Sequence, residues 1–247
     1  MYVKYPKAPG AADIINILKL KGVPIHTSYN INDLLNSKHG PFNILIIPGG
    51  TAKKQQSDLT EKGCEIIKFF VSSGGGYVGF CAGAYLASLP PKHNLNQNYP
   101  GIGLIKTEYL LPNTKMELKG KIDLQINQPS LARNHSKVIK NNNDYNSSND
   151  HCTLSMNYHN GAFFEISDNK ESSSDADNNE DNNDITVIGH VTELYGINLR
   201  TMIGKAAIIK SSYGCGSVVL CGPHPETTEG LEQFTFNLIM EAAPKPK

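Results

Sequence analysis

Along the first hundred positions, segments with apolar residues at helical spacing alternate with short continuous apolar runs, and this pattern predicts alternating helices and strands. Segment 11–22, AADIINILKLKG, repeats apolar residues at helical spacing, whereas 42–47, FNILII, is a continuous apolar run that ends in Pro-Gly-Gly. A helix is predicted again over 61–76, followed by a strand over 77–80 and a helix over 82–89 that two prolines end. Elements that alternate at this spacing predict right-handed crossovers and an α/β fold with a mainly parallel sheet.

The C-terminal part of the chain has the same kind of order. KAAIIK (205–210) and VVLCG (218–222) predict two strands joined by a glycine-bearing turn. GLEQFTFNLIMEAA (230–243) is amphipathic and predicts a closing helix, with Thr227 or Thr228 as its cap. We therefore expect the sheet and its helical layers to continue to the end of the chain.

The middle of the chain changes character. KMELKGKIDLQINQ (115–128) alternates in part and predicts a strand or a hairpin. Two tracts, 134–150 and 167–184, are rich in asparagine, serine and acidic residues, and they cannot bury enough apolar surface to offset the entropy of ordering. We interpret both as solvated loop insertions, without a binding role, in a single domain that spans residues 1–247.

Charge and composition exclude several classes of partner. The 247 residues hold 23 basic and 23 acidic side chains, and Arg133 and Arg200 are the only arginines, which disfavours nucleic acid or an anionic membrane as partner. No window has the apolar length of a membrane span, and the N-terminus lacks the pattern of a signal peptide. These features predict a cytoplasmic protein.

The cysteines give no sign of a disulfide framework or of a metal site. Five cysteines at irregular spacing in a chain of this length disfavour disulfides. Cys215, Cys221 and His224 match no common zinc spacing, and a second cysteine pair is missing. We therefore predict no bound metal and no cofactor.

GGGYVGFCAGAYLAS (74–88) places a cysteine between a predicted strand and a predicted helix. Cys81 stands where a nucleophile elbow has its nucleophile, with Gly79 and Gly83 two positions before and after it. The turn of an elbow is sharp and strained, and side chains at both glycine positions would collide. The following helix directs its N-terminus at the sulfur and favours the thiolate, and the N–H of Ala82 is placed to bind an oxyanion.

The elbow pattern alone is equally compatible with a buried structural cysteine, but two other segments favour catalysis. IIPGG (46–50) runs from a buried strand into two glycines whose N–H groups can approach a substrate, or it is an ordinary strand-ending turn. In LCGPHPETTEG (220–230), His224 is followed by Glu226, and residues two apart on an extended segment face the same side. Glu226 would then hold the imidazole while His224 deprotonates Cys81, unless both are merely surface residues.

The set of motifs, in the order oxyanion loop, cysteine and His-x-Glu, resembles the class I glutamine amidotransferase-like superfamily. More narrowly, PGGTAKKQQ and EIIKFFVSSGGGYVGFCAGAYLAS, MNYHNGAFFE (156–165) and GKAAIIKSSYGCGSVVLCGPHPE (204–226) resemble the amidotransferase-like domain at the N-terminus of eukaryotic biotin–protein ligases. That domain is also found free-standing. The resemblance covers most of the chain apart from the two polar tracts. It implies a three-layer, flavodoxin-like sandwich with the elbow at the carboxyl ends of its strands.

The resemblance also implies an activity. The superfamily attacks a carboxamide, usually that of glutamine, with a Cys-His-Glu triad; a thioester forms, ammonia leaves and water releases the acid. Carried over to this chain, Cys81 is the nucleophile, His224 the general base and then acid, and Glu226 the orienting carboxylate. The oxyanion N–H groups implied in the same way belong to Gly49, Gly50 and Ala82.

The narrower family implies further residues and partners. Tyr158, Asn160 and Gly161 match a loop expected near the substrate, although Tyr158 is also interpretable as a core or rim aromatic. True amidotransferases pass ammonia to a synthetase, so the resemblance implies a small amide as substrate, glutamine among the candidates, and a ligase or synthetase as protein partner. No Gly-Arg-Gly-Arg-like loop for a biotinyl adenylate is found, and we therefore predict no biotin ligase activity of its own.

Two other classes of function stay open beside the cysteine-dependent amidase. A non-catalytic binding or regulatory module would keep the fold with an ordinary thiol at position 81, because fold and chemistry are separable. A redox or peptidase-like relative would oxidise Cys81 reversibly or place the acidic partner differently, and the His-Pro-Glu triplet argues against it.

Overall fold

The computed structural model describes residues 1–5, 7–36, 38, 41–92, 100–110, 117–132, 152–166 and 185–244. The two polar tracts interpreted as loop insertions lie outside the described residues. The strands are β1 (Tyr2–Lys4), β2 (His26–Ser28), β3 (Ile44–Ile47), β4 (Gly76–Phe80), β5 (Tyr109–Leu110), β6 (Lys119–Ile126), β7 (Cys152–His159), β8 (Phe163–Phe164), β9 (Thr186–Tyr195), β10 (Ala206–Tyr213) and β11 (Gly216–Cys221). The helices are α1 (Ala11–Leu20), α2 (Ala52–Ser72), α3 (Ala82–Ala87) and α4 (Glu232–Met240).

The described strands form one large sheet in the order β2-β1-β3-β4-β11-β10-β9-β6-β7, with the short β5 and β8 attached beside β10. The neighbours in the first half of this order, β2-β1-β3-β4-β11, pair in parallel. The neighbours in the second half, β11-β10-β9-β6-β7, pair antiparallel. The predicted α/β class is confirmed. The sheet is mixed. Strand β11 pairs in parallel with β4 on one side and antiparallel with β10 on the other, and the strands beyond β10 are antiparallel as well.

Helices cover both faces of the parallel half and bury two separate hydrophobic clusters. In β3, Ile44 and Ile46 point into a cluster with α1 and α4, whereas Leu45 and Ile47 point into a cluster with α2 and α3. This alternation is what a strand between two helical layers requires, because successive side chains face opposite sides. None of the helices in the described part of the chain combines the length and the apolar character needed to cross a bilayer.

Several element boundaries differ from the sequence prediction. Helix α2 begins nine residues earlier than predicted, at Ala52, and Thr60 interrupts it with φ 58° and ψ 176°. Its first part lacks an apolar stripe, because the segment is dominated by lysine and glutamine, so the pattern gave no signal there. Within the predicted 115–128 segment, the described residues form the single strand β6 (Lys119–Ile126), whose partners β7 and β9 come from distant parts of the chain.

The cap predicted for the last helix was wrong. Leu231 is the N-cap residue of α4, and no side chain caps the helix. The Thr227 and Thr228 hydroxyls instead donate to the main-chain oxygen of His224, at 3.2 and 2.7 Å. The two threonines therefore stabilise the turn that carries His224 and leave the helix without a side-chain cap.

Three neighbouring parallel strands end at the same edge of the sheet. β3 runs into Pro48-Gly49-Gly50, β4 into Cys81, and β11 into the segment with His224. Because β4 lies between β3 and β11, the cysteine is flanked by the glycine loop on one side and by the histidine on the other. The carboxyl ends of strands in open α/β sheets are where ligands bind.

Candidate active site

Cys81 occupies a strained turn between β4 and α3. Its φ of 48° and ψ of −100° lie outside the regions that non-glycine residues ordinarily adopt. A Cβ added to Gly79 would lie 2.4 Å from the main-chain oxygen of Gly83, and one added to Gly83 would lie 2.2 Å from that of Ile47. The prediction that both positions require glycine is confirmed. The N–H of Cys81 donates to the main-chain oxygen of Cys221 at 2.8 Å, which ties the turn to the end of β11.

Helix α3 behind the cysteine is shorter than predicted, with only six residues. So short a helix adds little macrodipole at the sulfur, because each peptide unit contributes to the sum. The Cys81 thiol lies 3.5 Å from the main-chain oxygen of His159, and the cysteine is only 7% exposed. The helix is therefore a weak source of positive potential at the sulfur.

His224 and Glu226 form a buried pair beside the cysteine. Nδ1 of His224 lies 2.7 Å from Oε1 of Glu226, and the Glu226 side chain is fully buried. The segment is a 3-10 turn over Pro225–Thr227 and not the extended chain assumed from the sequence, yet the two side chains still meet. Burial alone would lower the pKa of His224, but the hydrogen bonds and negative charges of Cys81 and Glu226 outweigh it and raise the pKa to about 10.

Strand β7 fixes the main chain at His224. The N–H of His224 donates to the main-chain oxygen of Asn157 at 2.8 Å, and the two residues form an antiparallel bridge. The N–H of Asn157 in turn donates to the Thr228 hydroxyl at 2.9 Å, and its side-chain amide donates to the main-chain oxygen of Thr227 at 2.8 Å. Hydrogen bonds to β7 therefore fix the main chain at His224 and in the turn that follows it, and with it the position from which the imidazole extends.

The N-terminus of α1 packs against Glu226. A Cβ added to Gly10, which precedes the helix with φ 76°, would lie 2.4 Å from Oε1 of Glu226. The positive end of a helix dipole favours a carboxylate close to it. Oε2 of the same carboxylate is buried and has no hydrogen-bond partner among the described residues. The first helix thus supports the acidic partner of His224 through close backbone contact.

This contact predicts different outcomes for two glycines that flank α1. Gly10→Ala and Gly22→Ala both place a methyl group at a positive φ, 76° and 69°, which costs about 1–2 kcal/mol of stability in each. Only at Gly10 does the methyl group collide with Glu226, since nothing lies within 4 Å at Gly22. We expect Gly10→Ala to slow the reaction of Cys81 with an electrophile by up to about 10²-fold, because the imidazole is misplaced.

Mass spectrometry of Cys81 labelling, with urea denaturation of both variants, measures this difference. Gly22→Ala is the matched control, and it should lose stability without losing reactivity. Equal labelling rates in the two variants would show that the contact between Gly10 and Glu226 has no influence on the histidine.

The glycine loop after β3 lies directly beside the cysteine and the histidine. A Cβ added to Gly49 would lie 3.2 Å from Cε1 of His224 and 3.8 Å from Cβ of Cys81. The N–H groups of Gly50 and Ala82 donate no hydrogen bond to any other described residue. Both residues line the same cavity as Cys81. Two unpaired main-chain donors beside a thiol are the arrangement that an oxyanion requires.

A cavity of about 350 Å³ opens above Cys81. Tyr85 and Tyr109 form one wall, with ring centroids 4.7 Å apart and planes nearly perpendicular. Their hydroxyls donate to the main-chain oxygens of Gly161 and Pro100, at 2.9 and 3.0 Å. The rings therefore present apolar surface to the cavity. The other residues that line the cavity are Pro9, Gly50, Thr51, Ala52, Ala82, Pro100, His159, Asn160 and His224.

The three residues of the 156–165 segment that the resemblance implied lie at different depths. Asn160 lines the cavity, with φ 49°, and its Oδ1 accepts from the N–H of Leu118 at 2.8 Å. Tyr158 is buried, stacks on Phe163, and is not among the residues that line the cavity. Gly161 accepts from the Tyr158 hydroxyl at 2.9 Å and takes no part in the lining. Its main-chain oxygen thereby holds both Tyr85 and Tyr158.

Two of the candidate metal ligands considered above, Cys215 and Cys221, lie at opposite ends of β11. Cys215 is exposed in the turn between β10 and β11, and Cys221 is buried at the end of β11. Nδ1 of His224 is already engaged with Glu226. Among the described residues, no group of three histidine, cysteine or acidic side chains has the spacing to hold a metal ion.

A comparison with known protein families gives a match that covers most of the chain. The family model described as "Biotin-protein ligase, N terminal" matches residues 39–238. The chain belongs to this family. The match includes the glycine loop, Cys81, His224 and Glu226 of the biotin–protein ligase N-terminal domain, and it starts beyond Gly10. No curated protein matches the chain. The resemblance inferred from the motifs is confirmed.

Solved structures show that the fold of this biotin–protein ligase N-terminal domain is that of glutamine amidotransferases. The structure of a glutamine amidotransferase is 14% identical, with a TM-score of 0.59 over 96% of this chain and 97% of the other. PurLQS from Thermotoga maritima is 16% identical, with a TM-score of 0.61 over 97% and 95%. A cytoplasmic protein from Salmonella typhimurium is 14% identical, with a TM-score of 0.52 over 96% and 88%. At these identities the likeness concerns the fold alone.

Sequence analysis missed the residues that support the site from outside the motifs. Five residues that were not predicted near the site contact it or its main chain: Gly10, Gln55, Tyr85, Asn157 and Thr228. Pro9-Gly10 just before a predicted helix was a signal of a close backbone approach. The other four are ordinary residues of helices, strands and turns, and their sequence neighbours carry no comparable signal.

Proposed function

We propose that this domain hydrolyses an amide of a small molecule by cysteine-dependent catalysis. The observation that carries the proposal is the buried pair of His224 and Glu226, at 2.7 Å, in a cavity whose lining includes both His224 and Cys81. A nucleophile, a base within reach of it and a third group that orients the base form the arrangement found in triad enzymes. The strained main chain at Cys81 supports the same role, since such strain concentrates at functional sites.

The residues suit each step of the reaction. The Cys81 thiolate adds to the amide carbonyl, and the N–H groups of Gly50 and Ala82 stabilise the resulting oxyanion. His224 then gives its proton to the leaving nitrogen, so that ammonia departs and a thioester remains on Cys81. His224 next takes a proton from water, whose oxygen attacks the thioester and releases the carboxylic acid and the thiolate. The raised pKa of His224 supports the first proton transfer, because the imidazole is then protonated at neutral pH.

We propose a primary carboxamide as substrate, with glutamine the first compound to test. A primary amide presents a small leaving group to His224 and a carbonyl oxygen to the Gly50 and Ala82 donors. The Tyr85 and Tyr109 rings give the rest of the molecule an apolar wall to pack against. A ligase or synthetase that consumes the released ammonia is the protein partner that we propose, and this domain would not attach biotin itself.

A non-catalytic module is the second candidate, and the contact of the thiol with the His159 main-chain oxygen favours it. The thiol donates to that oxygen at 3.5 Å, so its hydrogen is directed at a main-chain carbonyl group and not at the imidazole. The domain would then bind a small molecule or a partner protein in the same cavity and leave it unchanged.

The rate at which Cys81 reacts with a glutamine-like electrophile decides between the two candidates. It is read by mass spectrometry over a pH series, in the natural chain and in His224→Ala. We expect rapid labelling at neutral pH and a rate about 10²-fold lower in the variant. The variant lacks the imidazole that takes the thiol proton and, once protonated, pairs with the thiolate, and proton transfer by histidine is worth about 10²–10⁴-fold. His190→Ala, on β9 and outside the cavity, is the control.

Two outcomes would contradict catalysis by the triad. Slow labelling with the same pH dependence in the natural chain and in His224→Ala would favour the binding module. Rapid labelling that His224→Ala leaves intact would mean that the thiol is activated without the histidine.

A further inference from the structure

The side chain of Gln55 lies beneath the glycine loop and touches its main chain. Its Nε2 donates to the main-chain oxygen of Pro48 at 3.1 Å and to that of Gly49 at 3.2 Å. Gln55 belongs to the first turn of α2, and only 5% of it is exposed. One buried amide group therefore binds two successive carbonyl groups of the loop.

These two hydrogen bonds determine the direction of the loop's N–H groups. In a trans peptide the carbonyl oxygen and the following N–H point in opposite directions, and no described peptide bond is cis. When the Gly49 oxygen points at Gln55, the N–H of Gly50 must point away from it. The same holds for the Pro48 oxygen and the N–H of Gly49. Gly50 lines the cavity that contains Cys81 and Ala82, and its N–H has no partner among the described residues.

Among the described residues, no other hydrogen bond to the Pro48 and Gly49 oxygens is found that would maintain this orientation. Gly50 has φ 133°, a conformation in which glycine is free to adopt several values of ψ. Without a bond to its carbonyl, the Gly49–Gly50 peptide could rotate and present an oxygen, in place of an N–H, to the cavity. An oxygen there would repel an oxyanion.

Gln55 is itself fixed by its surroundings. The Tyr5 hydroxyl donates to the main-chain oxygen of Gln55 at 3.0 Å, and Tyr5 is buried beside it. Oε1 of Gln55 is buried and has no hydrogen-bond partner among the described residues. Burial of a polar atom without a partner lowers the stability of the folded chain. The two hydrogen bonds from Nε2 to the loop offset this loss for the Gln55 amide.

We propose that Gln55 is a positioning residue, which orients the Gly49–Gly50 peptide so that the N–H of Gly50 stabilises an oxyanion formed at Cys81. The inference rests on the proposed function. It adds to that function a residue outside the triad and outside the glycine motif, and it assigns a task to the first turn of α2.

Two reagents that modify Cys81 by different routes test this role. p-Nitrophenyl acetate acylates the sulfur through a tetrahedral oxyanion and releases p-nitrophenolate, whereas iodoacetamide alkylates it by direct displacement of iodide, without an oxyanion. In Gln55→Met, which keeps the length of the side chain but has no donor, we expect acylation to fall by about 10²-fold. Alkylation should stay unchanged, because the sulfur and His224 are not altered.

Gln55→Glu is the second variant, and it should also acylate slowly, since a carboxylate repels the two carbonyl oxygens. Gln233→Met, on α4 and outside the cavity, is the matched control and should leave both rates unchanged. Equal losses of acylation and alkylation in Gln55→Met, or acylation at the natural rate, would overturn the proposal.

A crystal structure of Gln55→Met, or of Gln55→Glu if the first variant does not fold, gives an answer that needs no activity. The Gly49–Gly50 peptide should be rotated relative to the natural chain. An unchanged peptide would overturn the role of Gln55 whatever Cys81 does. If Cys81 of the natural chain reacts with p-nitrophenyl acetate no faster than an ordinary thiol, the proposed hydrolysis fails, and the crystal structure still decides whether Gln55 orients the loop.

Discussion

Replacing Cys81 by alanine should abolish amide hydrolysis by this domain. Every step proposed for the reaction passes through a bond to the sulfur, so His224 and the oxyanion donors would have no intermediate to act on. Loss of a triad nucleophile typically lowers turnover by about 10⁴-fold or more. Ammonia release from glutamine and from a panel of primary amides measures the loss, and a thioester on Cys81 is sought by mass spectrometry.

Cys215→Ala is the matched control for this experiment. Cys215 is exposed in the turn between β10 and β11, outside the cavity, and its replacement should leave turnover intact. Turnover that persists in Cys81→Ala would refute the assignment of the nucleophile, whichever amide is the substrate.

Gly83→Ala should destabilise the domain by about 3 kcal/mol, at the upper end of what overpacking of a core costs. The added methyl group would lie 2.2 Å from the main-chain oxygen of Ile47 and 2.9 Å from its Cβ. These atoms belong to the central strand β3 and cannot move aside as the end of a flexible side chain can. α3 would have to separate from the sheet, so the loss is measured as a lower free energy of unfolding in urea.

Gly189→Ala in β9 provides the comparison for Gly83→Ala. There the nearest atom is Cδ1 of Ile126, at 3.2 Å, which can shift with little effort because it ends a flexible side chain. We expect a change within about 1 kcal/mol. Similar losses in both variants would mean that the close approach of α3 to β3 is not what requires glycine at position 83.

The position of the proposed triad in the fold links its chemistry to the parallel half of the sheet. Cys81 and His224 follow the adjacent strands β4 and β11, and Gly49 and Gly50 follow β3. The antiparallel half contributes in a different way: β7 binds the main chain at His224 through Asn157. The parallel half of the sheet therefore carries the groups proposed to react, and the antiparallel half fixes the main chain of one of them.

Much of this arrangement could be predicted from local sequence. Gly79 and Gly83 are required by collisions within a few residues of Cys81, so the elbow can be identified from a stretch of five letters. Apolar runs that stop at glycine or proline mark strand ends, and motifs at strand ends of a parallel sheet converge on one edge. The α/β class, the position of Cys81 and the proximity of the glycine loop and His224 all follow from such local signals.

The tertiary structure alone decided which residues support that site. Gly10 touches Glu226, Asn157 binds His224, and Gln55 binds the glycine loop, in each case through a contact between main-chain or buried polar atoms. The mixed character of the sheet was also decided by the tertiary structure, since the pairing of β6 with β7 and β9 joins distant segments. The periodicity of a segment reports which of its faces is buried, but it does not report against which other segment that face packs. Local sequence therefore identified the residues proposed to react, and packing between distant segments determined how they are held.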